Sequence, residues 1–231
     1  MNPNQPAWGW KEVVISITLM LPAMLLGTIV AMGGAWLVLG RSPLQVEIAI
    51  PGQFASYGLW LAAVWVLLRG QAGGFWQALR WTWPEQGPWV YLALGPGVAL
   101  LMGALANLLQ AKNIQHTLME QLLSDPVGVR LLVLFGITAA PLIEELLFRG
   151  IFLPVAVRSV GVPAGLLITS VPFSLMHGPM YDWSWQHLLL LVLVGVVFGV
   201  VRLRSDSTLA STITHGAYNL MMFAGHFLTS K

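Results

Sequence analysis

Apolar residues run along most of this chain in long stretches that are separated by short polar connections. A helix needs about 20 mostly apolar residues to cross the hydrocarbon core of a bilayer. Seven stretches come near this length, at approximately 13–39, 48–68, 89–109, 129–148, 160–177, 186–203 and 208–228. The pattern therefore predicts an all-α, multi-pass transmembrane bundle of about seven helices, within a range of six to eight.

The longest polar connection, from Arg69 to Pro88, contains an amphipathic stretch of its own. Its sequence FWQALRWTW (75–83) sets aromatic and aliphatic side chains against Gln77 and Arg80. This pattern is typical of a helix that lies in the headgroup layer. We therefore expect an interfacial helix here, and we expect the many Trp residues beside the apolar stretches to form interfacial belts.

Composition agrees with a membrane location. Hydrophobic residues make up 57% of the 231 residues and charged residues 9%, whereas a soluble domain has about 25% charged residues. The net charge is +2, and Lys and Arg form no basic stripe, so we expect no nucleic-acid partner. The chain has no cysteine, which excludes disulfides, thiolate metal sites and cysteine nucleophiles.

The distribution of Lys and Arg bears on orientation. With seven helices, six of these residues fall on the side of the N-terminus and four on the other, which favours a cytoplasmic N-terminus in the bacterial inner membrane. Gly195 and Gly199 form a G-x-x-x-G pair that allows close approach of two helices. Internal helix packing is the interpretation that we favour for this pair, and a homodimer contact is the alternative.

Three charged residues lie at the end of the fourth apolar stretch, in PLIEELLFRG (141–150). An ionisable residue at membrane depth is costly, and its default interpretation is functional. Glu145 and Arg149 are four residues apart, so we predict an ion pair between them. Glu144 is rotated from Glu145 by about 100° and lacks a local cation, which favours it as a catalytic carboxylate that the pair supports. Pro141 removes a backbone hydrogen bond and should kink this helix.

Polar residues at helical spacing recur in the later apolar stretches. PFSLMHGPM places His177 near the end of a helix, and HGAYN places His215 and Asn219 on one helix face. Taken alone, each fits a structural role as a cap or an interhelical hydrogen bond. Together with Glu144 they suffice for hydrolysis. Glu144 can act as general base while His177 holds and polarises a water, and His215 with Asn219 can donate hydrogen bonds to an oxyanion.

The same residues leave a metal alternative open. Glu144, His177 and His215 could equally ligate zinc, with water in the fourth position, although the chain contains no H-E-x-x-H motif. The remaining histidines (His116, His187 and His226) are interpreted as interfacial or structural. The hydroxyls of Ser170, Ser174, Ser211 and Thr212 are interpreted as helix-packing groups, because no G-x-S-x-G surrounds them.

The three motifs EELLFR, FSLMH and HGAYN follow one another in this order on successive apolar stretches. In this combination the chain resembles the type II CAAX prenyl endopeptidases, which are grouped with bacteriocin-processing enzymes as CPBP intramembrane proteases with an ABI domain. Their pattern is E-E-x-x-x-R, then F-x-x-x-H, then H-x-x-x-N. We accordingly divide the chain into N-terminal transmembrane helices with an interfacial helix (1–126) and CAAX-protease-like catalytic helices (127–228).

The resemblance implies an intramembrane endopeptidase with a site open to the membrane. It implies that Glu144 and His177 activate water and that His215 and Asn219 form the oxyanion hole. Membrane lipid and a membrane-bound peptide or protein substrate, prenylated or otherwise lipidated, are the implied partners. The family has been described both as zinc metalloproteases and as metal-free glutamate proteases, and we favour the reading without a cofactor. Tyr218 stands where the third motif often carries a second Asn.

Two other functions fit the same residues less well. A membrane scaffold or bacteriocin-immunity-type protein of this fold would do no chemistry, and it has no need of buried His, Asn and unpaired Glu. A proton-coupled transporter could use Glu144, His177 and His215 as a relay. The sequence shows no internal repeat, which leaves the transporter reading without the usual support.

Overall fold

The computed structural model describes residues 8–71, 73–112 and 117–229 of the chain. All regular elements in these ranges are helical. They are α1 (Trp10–Thr18), α2 (Met20–Leu39), α3 (Gln45–Leu68), α4 (Gly74–Ala78), α5 (Pro88–Leu108), α6 (Thr117–Ser124), α7 (Pro126–Ile137), α8 (Ala139–Glu145), a π-helical segment (Leu146–Phe152), α9 (Leu153–Val160), α10 (Val162–Met176), a 3₁₀ turn (Gly178–Tyr181), α11 (Trp185–Ser205) and α12 (Thr208–Thr229).

Five helical stretches in the described residues are long and apolar enough to cross a membrane. They are Trp10–Leu39, Gln45–Leu68, Pro88–Leu108, Pro126–Val160 and Trp185–Ser205. The other two predicted stretches are helical as well. Helix α10 has only 15 residues, and α12, which carries His215 and Asn219, does not reach the apolarity of a span. The predicted all-α multi-helix bundle is confirmed.

The long span Pro126–Val160 is broken at Thr138, whose backbone leaves the helical region (φ −124°, ψ −78°). The predicted kink is therefore present, three residues before Pro141. A proline ring collides with the carbonyl four residues earlier, which here belongs to Ile137, the last residue of α7. The break leaves carbonyls at the end of α7 without intrahelical partners, so they can accept hydrogen bonds from other helices.

The Leu146–Phe152 segment continues from α8 as a π-helix, and all seven of its residues are buried. Its i→i+5 hydrogen bonding widens the turn, and such segments occur frequently at functional sites. The segment carries Arg149 and lies in the largest apolar cluster, which draws on α1, α3, α4 and α10. A buried, widened turn thus follows directly on the two glutamates.

The segment 75–83 is a helix over only part of its length. Helix α4 ends at Ala78, and Arg80 adopts a left-handed backbone conformation (φ 54°). The chain turns inward here because residues at the start of α12 bind its carbonyls. The Thr208 N–H donates to the Arg80 carbonyl (2.8 Å) and its hydroxyl to the Leu79 carbonyl (2.6 Å). This connection from the N-terminal half fixes the position at which α12 begins, two turns before His215.

The G-x-x-x-G pair of α11 packs within the chain. A Cβ atom on Gly195 would lie 2.9 Å from Ser170 Cβ, and one on Gly199 would lie 2.5 Å from Leu166 Cδ2. Both partners belong to α10, so the small residues allow α11 to approach α10 closely. This is the internal packing that we favoured from the sequence.

Candidate active site

Glu144 lies between two imidazole rings that come from other helices. Its Oε2 atom is 3.8 Å from His177 Nε2 and 3.9 Å from His215 Nε2. Both separations are too long for direct hydrogen bonds, but they suit a small group that bridges them. Structure thus brings together three of the four predicted catalytic residues, from the end of α8, the end of α10 and the middle of α12.

The Glu144 carboxylate is buried, with 7% of the residue exposed. Its Oε2 atom has no hydrogen-bond partner within the described residues. Buried polar atoms in native proteins nearly always have a partner, so an exception calls for an explanation such as a bound water. His177, with 22% of its side chain exposed, forms the open edge of the site. A small polar molecule can therefore reach Glu144 from the His177 side.

Glu145 is fully buried and has three partners. The predicted ion pair is present, with 2.9 Å between Glu145 Oε1 and Arg149 Nη1. The same oxygen lies 3.0 Å from His215 Nδ1, and the Ser211 hydroxyl donates to the other oxygen. The supporting carboxylate therefore links the π-helical segment to α12, and it holds His215 directly.

Arg149 is enclosed by aromatic rings. Its guanidinium carbon lies 4.6 Å from the ring centroid of Phe173, 5.6 Å from that of Phe198 and 5.8 Å from that of Phe148. These distances fall in the range of cation–π interactions. Arg149 Nη2 also donates to the Gly195 carbonyl (2.8 Å) on α11. The Arg149 side chain is therefore held by three aromatic rings and one hydrogen bond, and it can neutralise Glu145 without contact with solvent.

Hydrogen bonding sets the tautomer of both imidazoles. His177 Nδ1 lies 2.8 Å from the Phe173 carbonyl, which can only accept, so Nδ1 carries a proton. In the neutral ring, Nε2 is then a proton acceptor that faces Glu144. His215 Nδ1 faces the Glu145 carboxylate and carries a proton for the same reason. His215 Nε2 can therefore donate only when its ring holds both protons.

Asn219 lies one turn beyond His215 on α12. Its amide nitrogen donates to the Gly136 carbonyl at the end of α7 (2.7 Å). This carbonyl is one of those that the break at Thr138 leaves available. Asn219 thus ties α12 to α7, and its amide group retains a second N–H for another acceptor.

Three residues of the site were not predicted to belong to it. Tyr57, from α3, lies close enough to Glu144 for the two side chains to interact electrostatically. Ser211 was interpreted as a packing hydroxyl, although its position four residues before His215 places it on the same helix face. Phe198 stacks on His215, with 4.6 Å between ring centroids. Nothing in their apolar surroundings distinguishes Tyr57 and Phe198 in the sequence.

The possibility of zinc can be tested on the arrangement itself. Within the ranges that the structure describes, no three His, Cys, Asp or Glu residues are placed to hold a metal ion. Glu144, His177 and His215 have the donor chemistry for zinc, but in these ranges they are not grouped as a metal site. We therefore derive no chemical step through a metal.

The other histidines lie outside this group or outside the described residues. His187 stacks on Tyr181, with 4.8 Å between ring centroids, and its Nδ1 lies 2.9 Å from the Ser184 hydroxyl. His226 contacts Phe227 near the end of α12. His116 lies outside the described residues.

An apolar groove of about 410 Å³ runs beside the site. It lies between α5, α8 and α12, and its lining includes Leu92, Leu142, Thr212 and Gly216. Leu142 is two residues from Glu144, and Thr212 and Gly216 flank His215 along α12. Helices α8 and α12 therefore line the groove with one face and carry Glu144 and His215 on another face.

Comparison with known protein families matched one family to the second half of the chain. Residues 126–221 match the type II CAAX prenyl endopeptidase Rce1-like family. The matched stretch begins at α7, contains all three motifs and ends in α12, so the resemblance inferred from the motifs is confirmed. Comparisons with curated proteins and with solved structures gave no match. The apolar helices indicate an integral membrane protein, and its residues 126–221 are similar to type II CAAX prenyl endopeptidases.

Proposed function

We propose that this protein is an intramembrane endopeptidase that hydrolyses a peptide bond in a membrane-embedded or lipidated protein. The observation that carries this proposal is the buried Oε2 atom of Glu144, which lacks a hydrogen-bond partner among the described residues and faces two imidazoles at 3.8 and 3.9 Å. A water molecule between these groups is positioned for activation. Glu144 acts as its general base, and His177 holds it.

The hydrogen bonds of the site support this division of roles. A bridging water can donate one proton to Glu144 Oε2 and the other to His177 Nε2, which leaves an oxygen lone pair for attack on the scissile carbonyl carbon. As the C–O bond forms, Glu144 takes the proton of the water. When the C–N bond breaks, Glu144 returns that proton to the leaving amine, so the products are a carboxylic acid and an amine.

Charge balance supports His215 as an oxyanion donor. Glu144 and Glu145 are two buried carboxylates, and Arg149 supplies one compensating cation. His215 Nε2 lies 3.9 Å from Glu144 Oε2, so a proton on that nitrogen would offset the remaining negative charge and point toward the reacting centre. Asn219 can add its second amide N–H. Donors that are fixed before the reaction stabilise a developing oxyanion most effectively.

The apolar groove beside the site supports a lipidated substrate. Its mainly aliphatic lining suits an isoprenoid or acyl chain. We place the bundle in the bacterial inner membrane, and the count of Lys and Arg residues over seven crossings supports a cytoplasmic N-terminus. No cofactor is needed for the proposed chemistry, and zinc dependence is left as an outcome of the test.

The proposal is tested with a quenched CAAX peptide that carries a farnesyl group and with the same peptide without it. Purified protein in detergent is assayed with and without a zinc chelator, and Glu144→Gln serves as the inactive reference. We expect cleavage of the farnesylated peptide that survives chelation. Loss on chelation and recovery with zinc would instead identify a metalloprotease. Equal rates for wild type and Glu144→Gln would contradict the proposal, and binding without cleavage would favour a scaffold.

Tyr57→Phe is expected to lower kcat about tenfold, because the Tyr57 side chain interacts with Glu144 and loss of a polar interaction with a charged group costs about 1.5–3 kcal/mol. The substitution removes only the hydroxyl that faces Glu144, so KM should stay nearly unchanged. Tyr91→Phe is the matched control, since the Tyr91 hydroxyl donates to Gln86 Oε1 (2.8 Å) in another part of the bundle. Steady-state cleavage rates measure both. Equal kcat values for the two variants would remove Tyr57 from the site.

A further inference from the structure

Helix α11 carries none of the three motifs, yet two of its residues reach the site. The Gly195 carbonyl accepts a hydrogen bond from Arg149 (2.8 Å). One turn further on, the fully buried Phe198 ring lies against His215. Its centroid is 4.6 Å from that of His215, with 30° between the planes, and 5.6 Å from the guanidinium carbon of Arg149.

We propose that Phe198 is a positioning residue that holds His215 in its working orientation through the face of its ring. The inference rests on the proposed function, because that function assigns His215 the task of donating a hydrogen bond from Nε2. Phe198 would act through His215 and Arg149 and would not itself touch the substrate.

The first argument concerns the freedom of the His215 ring. Its bond from Nδ1 to Glu145 (3.0 Å) fixes one atom, but the ring can still rotate about that contact. The stacked Phe198 fixes the plane of the imidazole. Phe173 meets the same ring in an edge-on arrangement, at 5.9 Å and 73°. With the plane fixed, Nε2 points toward the Glu144 carboxylate at 3.9 Å.

The second argument is electrostatic. The face of an aromatic ring attracts cations, and Phe198 lies within reach of Arg149 and of the ring that must become an imidazolium to donate. Of Arg149 and His215, the Phe148 ring lies near Arg149, at 5.8 Å from its guanidinium carbon. The Phe173 ring meets His215 in an edge-on arrangement. Among these three rings, Phe198 is the one that offers a stacked face to His215. Its ring therefore lies against both the Arg149 cation and the imidazole that is proposed to donate to the oxyanion.

The surroundings of Phe198 keep its ring in place. It belongs to a buried apolar cluster with Val98, Met102, Leu190 and Val194. The tight contacts of the neighbouring glycines of α11 with α10 hold the helix close to the site. A ring packed in this way has a defined position from which it can fix a neighbour.

Fluorinated phenylalanines at position 198 separate electrostatic positioning from packing. Successive fluorination withdraws the negative charge from the ring face and changes its shape little. We expect kcat to fall in steps, reaching about a tenfold loss with pentafluorophenylalanine, which matches the cation–π range. KM and thermal stability should stay nearly constant. A flat kcat series in folded variants would overturn the proposal.

A second measurement does not depend on cleavage. Protons above an aromatic face resonate upfield, so NMR of histidine-labelled protein should show such a shift for His215, assigned through His215→Gln. The shift should vanish in Phe198→Leu and persist in Phe75→Leu, a control at a buried ring of α4. No upfield shift in the wild type would overturn the proposal. A shift without any cleavage would uphold the stacking and reject the proposed function instead.

Discussion

Glu144→Gln is expected to lower cleavage by at least about 1,000-fold, which lies within the range of general-base contributions. The amide keeps the size and shape of the carboxylate but cannot take a proton from water. Because Glu144 is a buried carboxylate with an unpartnered oxygen among the described residues, its neutralisation should not weaken the fold. The variant should therefore unfold at the same temperature as wild type, or higher, while cleavage is lost.

Two further variants sharpen this test. His177→Gln should show a loss of similar size, because the proposed water needs both acceptors. Glu85→Gln is the control, since Glu85 is an exposed carboxylate in the loop before α5, and it should cleave at the wild-type rate. Cleavage rates and thermal unfolding in detergent are measured together. A folded Glu144→Gln protein that keeps a tenth of the wild-type activity would exclude Glu144 as the base.

Local spacing predicted the parts of the site that lie within one helix. The Glu145–Arg149 pair follows from a separation of four residues, and His215 and Asn219 share a face of α12 for the same reason. The apolar stretches likewise predicted where helices lie, and five of the seven predicted stretches correspond to helices long and apolar enough to cross a membrane. These features depend only on the regular geometry of a helix, so residue spacing in the sequence is enough to predict them.

Contacts between helices could not be predicted in this way. Tyr57 reaches Glu144 from α3, and Ser211 reaches Glu145 from a position 66 residues later in the chain. Each lies in a stretch whose apolar pattern is satisfied by packing or lipid. Spacing along one helix does not say which side chain of another helix it will meet. The N-terminal half, which no motif matched, thus contributes a side chain to the site.

Two departures from regular helix geometry do not follow from a 3.6-residue period, although Pro141 did predict a kink near the first of them. The backbone break at Thr138 leaves the Gly136 carbonyl available to Asn219. The π-helical segment changes the angle between successive side chains around Arg149. A pattern with the 3.6-residue period of a regular α-helix predicts neither the position of the break nor the π-helical turn. Both lie beside the two glutamates, where the fold departs from regularity to place charged groups.

The Glu145–Arg149 pair is expected to dominate the stability of the site. Arg149→Met removes the cation and leaves Glu145 as a fully buried carboxylate, and loss of one partner of a buried pair costs about 3–5 kcal/mol. Arg202→Met is the matched control. Its partner Asp206 has 62% of its side chain exposed, so water can solvate the remaining charge. This control should lose about 1–2 kcal/mol, from one hydrogen bond and one exposed ion pair.

The double variant Glu145→Gln/Arg149→Met then separates stability from function. Replacement of both charges removes the unpaired carboxylate, so much of the lost free energy of unfolding should return. Cleavage should stay low, because His215 would have lost the charged partner of its Nδ1–H, which lies 3.0 Å away in the intact site. Denaturant unfolding and cleavage rates measure the two effects on the same preparations. If the double variant recovered both stability and cleavage, Glu145 would serve only to neutralise Arg149 and would have no part in orienting His215.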